Sequence, residues 1–274
     1  MLNLSISEVP LVFVDTETTG LNPLYGDRIV EIALARFRGG VMENYYETLV
    51  NPQRPIGAAA ARIHGISDRE VSGAPAFAEI TSRLYEEFAD AVVVGHNAPF
   101  DLGFIANEFK LARQPYPDNL VLDTLTFLRQ YFRFPSNGLQ RVAEYLGIHP
   151  GRAHRAMADV LTTQKVFAYI VKNLQLRGAL TLQDFLEWQG GTIPWQAPAA
   201  SEIPVPPLVE TALQRNLRLF LRYRDEKGTL SERWVSPIGV RAEGRIVYLR
   251  AFCHLRNGER YFRLDRIVEM GIEQ

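Results

Sequence analysis

Four carboxylates and one histidine have the spacing to do chemistry together. Asp15 and Glu17 directly follow the apolar run at residues 12–14. On an extended strand, residues i and i+2 point to the same face, so these two carboxylates would lie side by side. Like charges at the end of a buried strand are costly unless cations lie between them. The pair therefore indicates a cation site, provided that other segments supply the remaining ligands.

Two later segments carry suitable ligands. Asp101 lies just past the apolar run at 91–94, and Asp159 lies in a predicted helix with His154 five residues earlier. Functional groups in open α/β sheets gather beyond the strand ends. Oxygen ligands suit hard divalent cations such as Mg²⁺ or Mn²⁺. Two such ions about 3.5–4 Å apart can activate water and stabilise the leaving oxygen in phosphodiester cleavage.

His154 suits the role of general base, because an unperturbed histidine pKa of about 6.5 allows proton transfer near neutral pH. If His154 and Asp159 were both helical, their spacing would place them roughly 140° apart, at about 100° per residue. We therefore expect His154 on the loop that enters the helix.

The elements that must position these residues alternate after an initial meander. Three β-like runs come first, and Gly39-Gly40 between the second and third is a hairpin signal. Helices and two further buried strands then alternate, which predicts a three-layer α/β domain with a mixed sheet. The expected strands are 11–14, 28–37, 41–50, 91–94 and 121–122, and the expected helices are 58–64, 75–89, 99–112, 123–132, 139–146 and 156–173.

Composition excludes several classes of protein. No run of 18 apolar residues indicates a transmembrane helix, and residues 1–10 do not resemble a signal peptide. Cys253 is the only cysteine, so a disulfide framework or a cysteine-rich zinc site is not expected. A reducing cytoplasm is the simplest compartment.

The last 80 residues have a different character. Residues 193–208 contain five prolines and predict an extended linker. Short strands separated by tight turns follow, at 218–224, 231–235, 245–253 and 260–264, and predict a small β-barrel. Residues 196–274 hold 13 basic against 10 acidic side chains, whereas residues 1–195 hold 17 against 21. Twelve of those 13 are arginine, which indicates either an anionic ligand or an ordinary solvated surface.

Three segments together resemble the motifs of the DEDDh superfamily of exonucleases. They are 15–20 (DTETTG), 96–101 (HNAPFD) and 154–159 (HRAMAD), in the order and internal spacing of that superfamily. The resemblance is greatest to the epsilon proofreading subunit of bacterial DNA polymerase III, the DnaQ-like group. It implies an RNase H-like fold over residues 8–178, followed by a short helix and linker at 179–208.

The resemblance also implies roles for individual residues. Asp15, Glu17, Asp101 and Asp159 would bind two divalent metal ions, and His154 would be the base of a 3′→5′ exonuclease that releases nucleoside 5′-monophosphates. Candidate substrate-binding residues are Thr18, Leu21, His64, Asn97 and Phe100. A turn, a core leucine or a structural histidine would explain some of these equally well. His96 is expected to make a structural hydrogen bond, and Phe104 to pack in the core.

Residues 209–274 resemble a WYL domain, mainly through 260–267 (RYFRLDRI) and 247–249 (VYL). Such domains resemble small Sm-like or SH3-like barrels that bind nucleic acids or nucleotide-like ligands, often to regulate an attached module. Arginine forks reach phosphates and an aromatic ring can stack on a base. The candidates for an anionic groove are therefore Arg233, Tyr248, Arg250, Arg260 and Arg263, with Asp265 expected to pair with a neighbouring arginine.

The leading interpretation is an exonuclease that acts on single-stranded DNA or frayed 3′ ends, as in DNA repair, with an accessory domain that binds nucleic acid or regulates activity. An exonuclease that degrades short RNA is an alternative, because the metal site does not distinguish substrates by the 2′-hydroxyl. A ligand-sensing regulator that uses the nuclease fold for docking is a non-enzymatic alternative. A polymerase-associated proofreading subunit is a third, although neither the linker nor the barrel contains an obvious polymerase-binding segment. The oligomeric state is left open.

Overall fold

The computed structural model describes residues 1–21, 23, 27–149, 154–195, 205–226, 228–243 and 246–272. Its first sheet has the order β3-β2-β1-β4-β5. The strands are β1 (Leu11–Thr18), β2 (Ile29–Arg38), β3 (Val41–Leu49), β4 (Val92–Gly95) and β5 (Val121–Asp123). Strands β1 to β3 pair antiparallel, whereas β4 and β5 are parallel to β1. The mixed sheet and the antiparallel meander predicted from the sequence are confirmed.

Eight helices are described around this sheet. They are α1 (Ala58–His64), α2 (Asp68–Val71), α3 (Phe77–Phe88), α4 (Ala98–Leu111), α5 (Thr124–Tyr131), α6 (Leu139–Tyr145), α7 (Ala156–Gln175) and α8 (Leu182–Gln189). The sequence did not predict the single-turn helix α2, which begins with a capping box between Ser67 and Glu70. None of the helices in the described part of the chain has the length and apolar composition that crossing a bilayer requires.

The sheet separates two apolar cores, because alternate residues of a strand face opposite sides. Phe13 packs on one side with the long helix α7, and Val12 and Val14 pack on the other with α3 and α4. β1 is buried on both faces over most of its length, with β2 and β4 on either side. The central position of β1 holds the carboxylates at its end in a fixed place.

Residues after α7 also belong to these cores. Leu182 and Phe185 of α8 pack beside Phe167, and Gln189 bonds both the backbone N–H of Asp123 and the carbonyl of Val121. Trp195 is 4% exposed, and its indole N–H donates to the Asn119 carbonyl. Of the predicted linker, residues 196–204 lie outside the described residues.

The C-terminal region, from residue 205, begins with a helix where the sequence predicted the end of the linker. Helix α9 (Pro207–Arg215) has a proline in its first turn, where the missing N–H costs nothing. Its buried residues Val209, Ala212 and Leu213 have helical spacing. The proline-rich composition of residues 204–207 concealed this pattern.

An antiparallel sheet follows, in the order β10-β6-β7-β8-β9. The strands are β6 (Leu219–Arg224), β7 (Leu230–Glu243), β8 (Ile246–Cys253), β9 (Gly258–Arg263) and β10 (Ile267–Ile272). The sheet curls, because the Tyr223 ring of β6 contacts the Phe262 ring of β9 at 5.2 Å although two strands lie between them. We call residues 205–272 the β domain. It has its own core, which includes α9.

Candidate active site

The four predicted metal ligands form one electrostatic cluster where β1, α4 and α7 meet. Asp15 and Glu17 lie on β1, Asp101 in the first turn of α4, and Asp159 in the first turn of α7. Ligand atoms of Glu17, Asp159 and His154 all lie within 4.8 Å of one another. Segments more than 50 residues apart in the chain therefore meet at one point.

Burial and mutual repulsion disfavour ionisation of these carboxylates. Burial is the largest cause that raises the pKa of Asp15 well above its ordinary range, and the charges of Asp101, Asp159 and Glu17 add to it. The pKa of Glu17 is raised to about 8 by burial and then by Asp159 and Glu31. Such a cluster is fully ionised at neutral pH only when a cation compensates its charge.

Two of these acids have hydrogen bonds that oppose this effect. Burial raises the pKa of Asp101 to about 7, although its Oδ1 accepts from the Thr16 backbone N–H at 2.9 Å and from the Thr16 hydroxyl at 2.7 Å. Burial also raises the pKa of Asp159, whose carboxylate accepts from the His154 backbone N–H and from the Gln140 amide. These donors fix the two carboxylates in one orientation.

His154 precedes helix α7, which begins at Ala156. The expectation that it lies on the entering loop is therefore confirmed. Its φ of 59° is in the left-handed region, which a non-glycine residue adopts at a cost of roughly 1–3 kcal/mol. The exposed imidazole lies within reach of Glu17 and Asp159.

Glu31 is a site residue that the sequence analysis missed. It lies directly opposite Glu17 in the β1–β2 register, and it accepts hydrogen bonds from Arg155 and from the Ala156 backbone N–H. A glutamate inside the apolar strand IVEIALARFR was the signal that could have revealed it. Gln140 and Thr16 gave no comparable signal, because neither residue type is unusual in its segment.

The predicted substrate residues fall into two groups. Thr18, Leu21, His64 and Phe100 line a common cleft next to Glu17. Asn97 does not line that cleft; it is exposed at the N-terminus of α4, where its left-handed backbone (φ 68°) donates to Asp123. The two structural expectations are confirmed, since His96 Nδ1 bonds Thr124 Oγ1 at 2.9 Å and Phe104 is fully buried.

The five predicted groove residues of the β domain do not converge on one surface. Only Arg250 lines the cleft. The Arg233 guanidinium packs over the rings of Tyr223 and Phe262, and Arg260 pairs in register with Ala251, on the opposite face of the sheet from Arg250.

The other two candidates are cross-strand neighbours. Tyr248 of β8 lies opposite Arg263 of β9, and Arg263 forms an ion pair with Asp265 at 2.7 Å, as expected of that aspartate. Any contact of these two residues with a ligand stays a prediction.

A mixed sheet with a cluster of carboxylates at the end of its central strand is also found in known proteins. The model of the exonuclease family matches residues 12–167, and that of the WYL domain matches residues 204–272. The chain therefore belongs to the exonuclease family and carries a WYL domain after its nuclease.

Two relatives illustrate the relationship. A DNA polymerase III subunit epsilon-like protein of Rhodobacter capsulatus is 40% identical over 187 residues, which cover 65% of this chain and 26% of the relative. The PolC-type DNA polymerase III of Bacillus cereus is 33% identical over 176 residues, covering 63% of this chain and 12% of the relative. The chain thus spans about a quarter or less of these relatives.

Two solved structures share the fold. Exonuclease X in complex with 5′-overhanging duplex DNA has a TM-score of 0.53 at 24% identity, covering 66% of this chain and 99% of the neighbour. Escherichia coli ExoI in a complex with single-stranded DNA has a TM-score of 0.57 at 22% identity. That comparison covers 89% of this chain and 55% of the neighbour.

Proposed function

We propose that this protein is a metal-dependent 3′→5′ exonuclease that hydrolyses the terminal phosphodiester of single-stranded or frayed DNA and releases nucleoside 5′-monophosphates. The observation that carries the proposal is the convergence of Glu17, Asp159 and His154 within 4.8 Å in a chain of the exonuclease family.

The donor set fits divalent cations. Asp15, Glu17, Asp101 and Asp159 offer carboxylate oxygens, which Mg²⁺ and Mn²⁺ both accept. The raised pKa values of Glu17, about 8, and of Asp101, about 7, show that ionising this buried cluster is costly, and bound divalent cations would offset that cost. When bound there, such ions would activate water and stabilise the oxygen that leaves.

The protein's own part in the reaction is to orient groups and to move a proton. We assign His154 as the general base, because its exposed ring lies beside Glu17 and Asp159 while carboxylates are sufficient as cation ligands. The bond from its backbone N–H to Asp159 Oδ2, at 3.1 Å, fixes the base relative to a metal ligand. The Thr16 hydroxyl donates to Asp101 and so fixes the orientation of that carboxylate.

DNA is the proposed substrate because the two relatives described above are named for DNA polymerase III. Thr18, Leu21, His64 and Phe100 surround the space next to Glu17, which suits a terminal nucleotide. Short RNA and a regulatory nucleotide remain the competing ligands, and the experiments below distinguish them.

The test uses a 5′-labelled single strand, as DNA and as RNA of matched sequence, with Mg²⁺ or Mn²⁺. The wild type should shorten the DNA from its 3′ end, and Asp15→Ala should lose this activity by at least about 10³-fold. Asp118→Ala is the matched control, since Asp118 is an exposed aspartate away from the cluster. A wild type as inert as Asp15→Ala would overturn the proposal, and faster cleavage of RNA would reassign the substrate.

A further inference from the structure

A cleft of about 620 Å³ separates the end of β1 from the β domain. We call it the interdomain cleft. Glu17, Leu21 and His64 are on its nuclease side, and Arg218, Arg250 and Phe252 are on its β-domain side. Its volume lies in the range of about 300–1,000 Å³ that is typical of small-molecule sites. It is therefore large enough for a nucleotide next to the metal ligands.

The β-domain side is shaped by a bulge in β7. The register with β8 shifts between Pro237 and Gly239, so that Ile238 is the extra residue. Ser236, Pro237 and Ile238 line the cleft opposite the nuclease. A β carbon at Gly239 would lie 3.7 Å from Leu21 Cβ, so the bulge brings the two domains into close approach. Bulges commonly redirect side chains next to functional sites.

Arg250 is held in one orientation by Glu259. Its guanidinium donates to Glu259 at 2.7 and 3.0 Å, and the side chain is 16% exposed. Glu259 also lies 3.5 Å from Arg62 of the nuclease, so one carboxylate orients cations of both domains. A guanidinium fixed in this way loses little conformational freedom when it binds phosphate.

Phe252 supplies an aromatic surface beside Arg250. The two residues lie two positions apart on β8 and so share a face. The Phe252 ring contacts the His254 ring edge-on at 5.3 Å, and both residues line the cleft. Cations alternating with aromatic rings are what single-stranded nucleic acids bind, through phosphate contacts and base stacking.

The nuclease side contributes a buried donor. His64 is 3% exposed, and its Nδ1 accepts from the Ile66 backbone N–H at 3.0 Å. Burial lowers the pKa of this ring, and because Nδ1 accepts a hydrogen bond, the neutral form carries its proton on Nε2. Nε2 is buried, and a backbone hydrogen bond with Thr18 opposes the fall in the pKa of the ring. His64 is therefore a fixed part of the cleft wall beside Thr18.

We propose that the β domain forms one wall of the substrate site, where Arg250 contacts a phosphate and Phe252 stacks on a base of the last nucleotides of a single strand. The WYL domain then selects the strand at the active site itself. This inference rests on the proposed exonuclease function for its substrate.

The experiment compares two cleft variants of the full chain, Arg250→Gln and Phe252→Ala, with two controls from the same sheet. Arg222→Gln removes an arginine of β6 that is paired with glutamates, and Phe220→Ala removes a half-buried ring of β6; neither residue lines the cleft. Thermal unfolding confirms that each variant is folded.

Binding of a 5′-labelled (dT)8 is measured first, in EDTA, so that no cleavage occurs. Phe252→Ala should weaken binding about 5- to 150-fold, which is the effect of losing one stacked base. Arg250→Gln should reduce the slope of log K against log salt by about 0.7, the value for one phosphate of a single strand. Both controls should match the wild type. Wild-type binding by the two cleft variants would overturn the inference.

Kinetics then separate this inference from the proposed function. On (dT)8 the cleft variants should lose at least about tenfold more kcat/KM than on bis(p-nitrophenyl) phosphate, a diester without a base. Equal losses of kcat/KM on both substrates would overturn the inference and indicate a merely structural role of the β domain. Increased activity of the variants would also overturn it and indicate an inhibitory role. If the wild type binds (dT)8 more tightly than Phe252→Ala but hydrolyses neither substrate, the proposed exonuclease function is refuted while this inference stands.

Discussion

Arg155 donates to Glu31 through both Nε and Nη2, at 2.6 to 3.1 Å, across 124 positions of sequence. Glu31 also accepts from the Ala156 backbone N–H at 2.9 Å, so it caps the start of α7. His154 and Asp159 lie on either side of that start. The ion pair therefore fixes the segment that contains both residues to β2, the strand beside Asp15 and Glu17.

Glu31→Gln should therefore reduce kcat about 10- to 100-fold with a smaller change in KM, because small displacements of catalytic groups are costly. The loss of charge should also destabilise the protein by about 1–3 kcal/mol. Glu43→Gln, which breaks the exposed pair with Arg38, is the matched control and should change neither quantity measurably. Steady-state kinetics and urea unfolding measure both effects; an unchanged kcat would assign Glu31 a purely structural role.

Replacing His154 by Ala should lower kcat about 10²- to 10⁴-fold, since the variant lacks the proton acceptor. Binding of Mn²⁺, followed by calorimetry, should change little. His149→Ala removes another exposed histidine and should retain wild-type rates. If Mn²⁺ binding were lost together with activity, His154 would be a metal ligand rather than the base.

Thr16→Val should move the acidic limb of the pH–rate profile to higher pH. The Thr16 hydroxyl lowers the pKa of Asp101, so its removal leaves a carboxylate that ionises less readily than the present one, whose pKa is about 7. Thr163→Val is a suitable comparison, because the buried Thr163 hydroxyl has no hydrogen-bond partner. Thr163→Val should leave the pH–rate profile unchanged and should be neutral or slightly stabilising. A Thr16→Val profile that coincides with the Thr163→Val profile would contradict the role of the Thr16 hydroxyl at Asp101.

Without divalent cations, the protein should lose stability as the pH rises. Folding raises the pKa of Glu17 from 4.5 to about 8 and that of Asp101 from 3.8 to about 7. The folded state therefore binds more protons than the unfolded state, and the free energy of unfolding declines between about pH 4 and pH 8.

Mn²⁺ or Mg²⁺ should raise Tm more at pH 8 than at pH 5, where protons compete with the cation. In Glu17→Gln the decline of Tm in EDTA should be shallower. Calorimetry in EDTA and in Mn²⁺ gives both curves. A metal-free Tm that rises from pH 6 to pH 8 would contradict the buried cluster of charge.

We propose that the nuclease domain extends to residue 195 rather than to 178. Gln189 joins α8 to β5, and Trp195 packs edge-on against Phe88 at 5.2 Å. A chain of residues 1–195 should unfold cooperatively, whereas residues 1–178 should have a Tm lower by at least about 10 °C or fail to fold. Equal melting of the two fragments would restore the shorter boundary.

The convergence of the four carboxylates and His154 was predictable because each lies in a short motif that is readable without tertiary contacts. Asp15 and Glu17 follow from strand alternation, and the position of His154 follows from helix geometry. The three-layer fold was predictable for the same reason, because the spacing of apolar residues that marks each strand and helix is a local pattern in the sequence.

The residues that orient those ligands were not predictable, because their partners are distant in sequence. Glu31 and Arg155 meet only in the folded chain, and Gln140 reaches Asp159 from a separate helix. Among the arginines of the β domain, strand alternation sends Arg250 and Arg260 to opposite faces. The sequence alone did not fix which face lies toward the nuclease, and so the interdomain cleft was not foreseen.

The two sides of the interdomain cleft are also separated in time. Residues 16–64 leave the ribosome long before residues 213–254, and at about 5–20 residues per second the interval is roughly 10–40 s. During that interval the nascent chain acquires all four of the carboxylates that we assign as metal ligands, with only one wall of the cleft. Under the two proposals made above, cleavage chemistry is assembled before selectivity, and a chain arrested after residue 195 should accept strands that the finished protein rejects.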